Sequence, residues 1–111
     1  MAEITDKKLL ESFAEEAHRR CAAITAAVSM VELGQGPVEG LADARGDAHG
    51  LKGTASVLGL DEIADLASRI EAALLDALDN GSLPPTLASE IHRFAADIET
   101  GARKALDSIS G

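Results

Sequence analysis

Apolar residues recur at steps of three and four along four stretches of the chain, the mark of helices that each bury one face. Leu10, Phe13, Ala17, Cys21, Ile24, Val28 and Val31 line the first. Thr5 or Asp6 can cap it, and Leu33 is its expected end. The second seam runs Leu41, Ala44, Ala48, Leu51, Ala55 and Leu58. Gly34-Gln35-Gly36 separates the two, and Pro37 suits the first helical position because its missing N–H is not needed there. After Leu58, Gly59 is expected as a left-handed cap, with Leu60 folding back on the apolar face and Asp61 capping the third helix. That helix, about Glu62 to Asp79, carries Ile63, Leu66, Ile70, Leu74 and Leu78 and is closed by Asn80-Gly81. Ser82-Leu83-Pro84-Pro85-Thr86 then leads into a last helix, roughly Pro85 to Ser108, with Leu87, Ile91, Phe94, Ile98, Ala102 and Ala105 inward. Short turns make successive helices antiparallel neighbours. The pattern predicts an all-α, antiparallel up-down-up-down four-helix bundle, with residues 1–111 as one domain.

Composition narrows the function. Hydrophobic residues make up 46% of the chain but aromatic ones 2%, so the core must be built from Ala, Leu, Ile and Val, which suits closely spaced helices. Nineteen acidic against ten basic residues give a net charge of −9, which argues against a nucleic-acid footprint or an anionic membrane surface. Without Trp or Tyr, platforms for stacking bases are missing as well. Cys21, the single cysteine, cannot form an internal disulfide and reads as a small buried hydrophobe on the first apolar face. No apolar run approaches the ~20 residues of a membrane span, and Met1 to Lys8 lacks the apolar core of a signal peptide. A cytoplasmic protein is the expectation, and a monomer, since the core uses one apolar face per helix.

The chemistry gathers on the second helix. His49 lies one residue off the seam, and Arg45, His49, Lys52 and Ser56 share a stripe, so the imidazole emerges at the edge of the buried face with a cation beside it. Gly46 and Gly53 stand at i−3 and i+4 from it. A helix that contains Gly40, Gly46, Gly50 and Gly53 loses roughly 0.5–1 kcal/mol at each relative to alanine. Either the glycines permit close helix packing or they clear a docking surface around a working histidine; Gly53, beside His49 and Lys52, favours docking. In a hairpin centred near Leu60, His49 and Glu71 lie level. The Glu71 carboxylate can accept from Nδ1–H, fix the tautomer and leave Nε2 facing outward with its lone pair. The other histidines offer less. Glu15-x-x-His18 is half of a carboxylate di-metal motif, but that site needs the motif twice, so no metal is expected. His18, Arg19 and Arg20 lie mostly on the solvent side, and His92 has no partner constellation and reads as a solvated or half-buried structural histidine. With no phosphate-binding glycine loop, catalytic carboxylate pair or metal set, catalysis by this chain alone is not expected. What His49 itself offers is an imidazole that is nucleophilic near neutral pH.

His49-Gly50-Leu51-Lys52-Gly53, followed by small residues and Leu58-Gly59-Leu60, resembles the His-x-x-Lys-Gly signature of histidine-containing phosphotransfer (Hpt) domains, which the phosphoacceptor domain of chemotaxis-type histidine kinases shares. The resemblance covers nearly the whole chain: an acidic amphipathic helix before the motif, a next helix running through Ile70-Glu71, and a long closing helix. It implies a phosphorelay intermediate of two-component signal transduction. His49 would exchange a phosphoryl group with the aspartate of a response-regulator receiver domain, in a pathway fed by a separate or hybrid histidine kinase. No cofactor is implied in this chain; magnesium belongs to the receiver. By the resemblance, His49 Nε2 is the carrier, Lys52 offsets phosphoryl charge, Glu71 orients the ring, and Gly53 clears room. Gly46, Ser56 and Arg45 fall on the docking face, where Arg45 either adds positive potential or merely solvates the helix. One position departs from the chemotaxis-type kinases: nineteen residues after the active histidine they often have a second histidine, and here stands Ser68. Two alternatives remain, a phosphoacceptor domain of such a kinase and a bundle that binds partners without being phosphorylated.

Overall fold

The structure is a computed structural model and describes residues 6–110. Helix α1 spans Lys7–Glu32, a 3-10 turn spans Val38–Leu41, and helices α2, α3 and α4 span Ala42–Val57, Asp61–Asn80 and Pro85–Ser110. The Asp6 side chain caps α1 by accepting from the Lys8 N–H at 2.9 Å. Thr5, the other candidate cap, lies outside the described residues.

Three glycines end three helices. Gly34, Gly59 and Gly81 have φ of 70°, 75° and 69°, a left-handed conformation that costs a residue with a β-carbon about 1–2 kcal/mol. Past each glycine a backbone N–H turns back onto the helix: Gln35 to the Met30 carbonyl at 2.9 Å, Leu60 to Ala55 at 2.9 Å, and Ser82 to Ala77 at 3.2 Å.

Two expected boundaries move. Pro37 is extended, with ψ 160°, and stands before the 3-10 turn instead of opening an α-helix. The Gly40 N–H closes that turn on the Pro37 carbonyl at 2.9 Å, so Gly40 lies outside α2, which carries three glycines rather than four. Asp61 is the first residue of α3 and not its cap. The turn-back bond fixes Leu60 in the cap position with no side-chain cap, and Asp61 and Glu62 place their charges in the first turn, where the helix dipole favours them. Helix α4 also runs two residues further than its pattern predicts.

The helices pack in a ring, α1 on α2 and α4, α3 on α2 and α4, which is the predicted all-α four-helix bundle. At 1.5 Å per residue, the 26-residue α1 and α4 are about 39 Å long and so run most of the bundle's 43 Å length. The seam of α2 is buried as its periodicity predicts from Leu41 to Ala55, with Leu58 at the rim. Elsewhere alanines take the interior: Ala67, Ala73, Ala77, Ala88 and Ala95 are buried, while Val31, Leu66, Leu78, Leu87 and Phe94 pack half-buried around them. A methyl side chain lets backbones approach, and the larger residues then close the edges of each seam. Cys21 is wholly buried, and burial, with the Glu99 charge, pushes its thiol up to about 12. Among the described residues no helix is long and apolar enough to cross a membrane.

Candidate functional site

The tight turn at Gly59 and Leu60 folds α3 back along α2 and brings Glu71 to His49. One oxygen of the Glu71 carboxylate, Oε2, accepts from His49 Nδ1 at 3.0 Å and from Arg45 Nη1 at 3.2 Å. The other, Oε1, lies 3.0 Å from Lys52 Nζ. The three partners stand on successive turns of α2 and converge on one acid from α3. The Glu71 side chain is 11% exposed, whereas that of His49 is 63% exposed.

An ionised carboxylate can only accept, so the proton of a neutral imidazole belongs on Nδ1 and the lone pair on Nε2. Nε2 has no hydrogen-bond partner among the described residues. Burial alone pushes the Glu71 carboxyl up, but hydrogen bonds from Lys52 and His49, and their charge, outweigh it and hold the group below the ordinary carboxylate range. The result is a ring nitrogen with its lone pair in solvent, held from behind by a carboxylate that is ionised at neutral pH and paired with two cations.

The surface around the ring is low. A β-carbon at Gly46 or Gly53 would meet nothing within 4 Å, so neither glycine is there for packing. Gly50 is different, since a β-carbon there would fall 2.7 Å from Arg20 Nη1. The close-packing reading therefore holds at Gly50 and leaves Gly46 and Gly53 as open ground beside the imidazole. Ser56 is exposed on the same side, and Val57 next to it is 84% exposed.

Sequence reasoning missed several partners. Arg20, assigned to the solvent side, is half-buried between α1 and α2, with Nε on Glu16 at 2.8 Å and Nη1 on Asp47 at 3.1 Å. The Glu16 to Arg20 spacing was the available signal. His92, read as having no partner, has Nε2 2.8 Å from Glu32 Oε1, and His18 Nδ1 is 2.7 Å from Glu99 Oε1. A broad groove of about 950 Å³ opens between the start of α3 and the end of α4, over Leu60, Ile63 and Gly101; none of the residues around His49 lines it. Among the described residues no three His, Cys, Asp or Glu side chains lie close enough together to hold a metal ion.

Neither the curated proteins nor the solved structures contain a match to the chain. The family model described as Hpt domain matches residues 8–101, from the first helix into the last and across the whole α2–α3 seam. The chain therefore belongs to the Hpt domain family, the histidine phosphotransfer domains of two-component signalling.

Proposed function

We propose that His49 carries the phosphoryl group and exchanges it with the aspartate of a response-regulator receiver domain. The observation that supports this most is the pairing of an exposed imidazole with a buried carboxylate on its inner nitrogen, which leaves Nε2 free to react. The Nε2 lone pair attacks phosphorus while the bond from phosphorus to the aspartyl oxygen breaks, and the electron pair leaves with that oxygen. Nδ1 keeps its proton, so positive charge develops on the ring, and Glu71 at 3.0 Å balances it. Lys52 offsets charge on the transferred group, and Gly46 and Gly53 leave room for the receiver's loops. Phosphoryl transfer needs mainly positioning and charge neutralisation. In this reading the receiver supplies magnesium and its acidic pocket, a histidine kinase supplies the phosphate, and this chain acts as a cytoplasmic monomer without a cofactor.

A glutamate at this spacing, in contact with His49, resembles the partner of the active histidine in chemotaxis-type kinases and favours a second reading, the phosphoacceptor domain of such a kinase, although Ser68 departs from that pattern. One assay separates the readings: labelled phosphate is offered from phosphorylated receiver domains, and from kinase ATP-binding domains with ATP, to the wild-type protein and to His49→Gln. Acid-labile, base-stable label that passes from receivers to the wild type and is absent from the variant is the expected result. Label from a kinase domain with little receiver exchange selects the second reading. No label from any donor on a folded protein makes the chain a binding module.

A further inference from the structure

Glu71 accepts from one imidazole and two cations, and a single carboxylate needs only one counter-ion. Arg45 and Lys52 lie on either side of His49 along α2, both about two-fifths exposed, and both end on the same nearly buried acid. We propose that Arg45 is a positioning residue, which keeps Glu71 paired and in place while Lys52 leaves it for the phosphoryl group on His49. The inference rests on His49 as the phosphate carrier.

With a neutral imidazole, the cluster of Arg45, Lys52 and Glu71 has one positive charge in excess. A phosphoryl group on Nε2 brings roughly −1.5 to −2, of which the positive charge developed on the ring offsets only part, and it stands in solvent between the two cations along α2. One of the two is drawn to it, and the geometry selects which. Lys52 holds Oε1 by itself, at the end of a flexible stem whose ammonium donates in three directions. Arg45 shares Oε2 with His49 Nδ1, the contact that sets the ring. Departure of Arg45 would disturb the oxygen that orients the imidazole; departure of Lys52 would not.

A carboxylate that is 11% exposed is costly once Lys52 has left it in the absence of Arg45, because its one remaining partner is the ring N–H, whose positive charge also faces the phosphoryl group. In a chain without Arg45 that cost would hold Lys52 on Glu71 and away from the phosphoryl group. With Arg45 in place the acid stays neutralised throughout, so Lys52 can move. Two cations on one acid thus divide the work, one holding and one travelling.

The test is the rate of label transfer from a phosphorylated receiver domain, over a range of receiver concentrations. It uses the wild type, Arg45→Gln, Arg45→Lys, Lys52→Met and the double variant, each checked for folding by thermal melt. Lys52→Met and Arg45→Gln should each lower the maximal rate by about tenfold. Arg45→Gln should leave the half-saturating receiver concentration unchanged. Arg45→Lys should restore most of the rate, and adding Arg45→Gln to Lys52→Met should cost no more than about a further twofold. A raised half-saturating concentration in Arg45→Gln would make Arg45 a docking residue and overturn the proposal. The same tenfold loss in both backgrounds would also overturn it, as would no loss at all. No label on the wild type would remove the carrier reading and this one together, whereas label on the wild type with an unaffected Arg45→Gln removes this one alone.

Discussion

All three histidines of this chain meet a glutamate across a helix seam, and the contacts are alike in length: His18 to Glu99 at 2.7 Å, His92 to Glu32 at 2.8 Å, His49 to Glu71 at 3.0 Å. The α1–α4 seam holds the first two and the α2–α3 seam the third. What differs is the acid. Glu99 and Glu32 are 32% and 38% exposed and each pairs with its histidine, while Glu71 is 11% exposed and also binds Arg45 and Lys52. The ground beside the ring differs too, since two glycines flank His49. A histidine near a glutamate is therefore a common surface pair; a histidine on an acid that is fixed, ionised and out of solvent is a tool.

The sharpest way to break this comparison is to exchange the histidines one at a time. His18→Gln and His92→Gln should accept phosphate from a receiver at the wild-type rate, while His49→Gln accepts none; label lost on either of the first two would erase the distinction. Next come the acids. Glu71→Gln should destabilise the protein by about 1.5–3 kcal/mol, the range of hydrogen bonds to charged groups, whereas Glu99→Gln and Glu32→Gln should each cost less than about 1 kcal/mol, as exposed pairs do. Chemical denaturation at neutral pH compares the three.

Acid should then close the gap. The Glu71 carboxyl is held low in the folded chain. Its contribution is complete above the ordinary carboxylate range and is lost as pH falls through the lowered value. Melting curves of wild type and Glu71→Gln should lie far apart at neutral pH and draw together as pH falls below the ordinary carboxylate range and through the lowered value. A gap that persists in acid would mean that packing, and not charge, makes Glu71 matter.

The smallest effect separates the glycines. Gly53→Ala, with open space above it, should stabilise the fold by about 0.5–1 kcal/mol. Gly50→Ala should gain less, because the Arg20 guanidinium must shift to admit the methyl group. Midpoints of denaturation would show equal gains if the contact with Arg20 were idle.

Much of this arrangement is legible in the sequence, for identifiable reasons. The seam of α2 follows from its period, and the Glu71 contact from the shortness of the turn at Gly59-Leu60, which leaves little freedom in where two antiparallel helices lie level. Three things escape that logic. The alanine interior of α3 and α4 escapes because a periodicity argument favours large residues, while close packing favours small ones. The pair of His18 and Glu99, 81 residues apart, depends on how each helix is rotated about its own axis, which spacing within one helix leaves open. Arg45 looks like any solvated arginine until the burial of Glu71 shows what it reaches.

The turn itself has a last consequence. Leu60 stands eleven positions from His49 on one side and eleven from Glu71 on the other, and one residue of slippage along a helix is about 1.5 Å, enough to part a hydrogen bond. The left-handed glycine and the bond from Leu60 to Ala55 therefore act as a gauge block, a fixed length that sets the spacing of reactive groups two to three helical turns away. Chemistry on the flank of this bundle is dimensioned at its end.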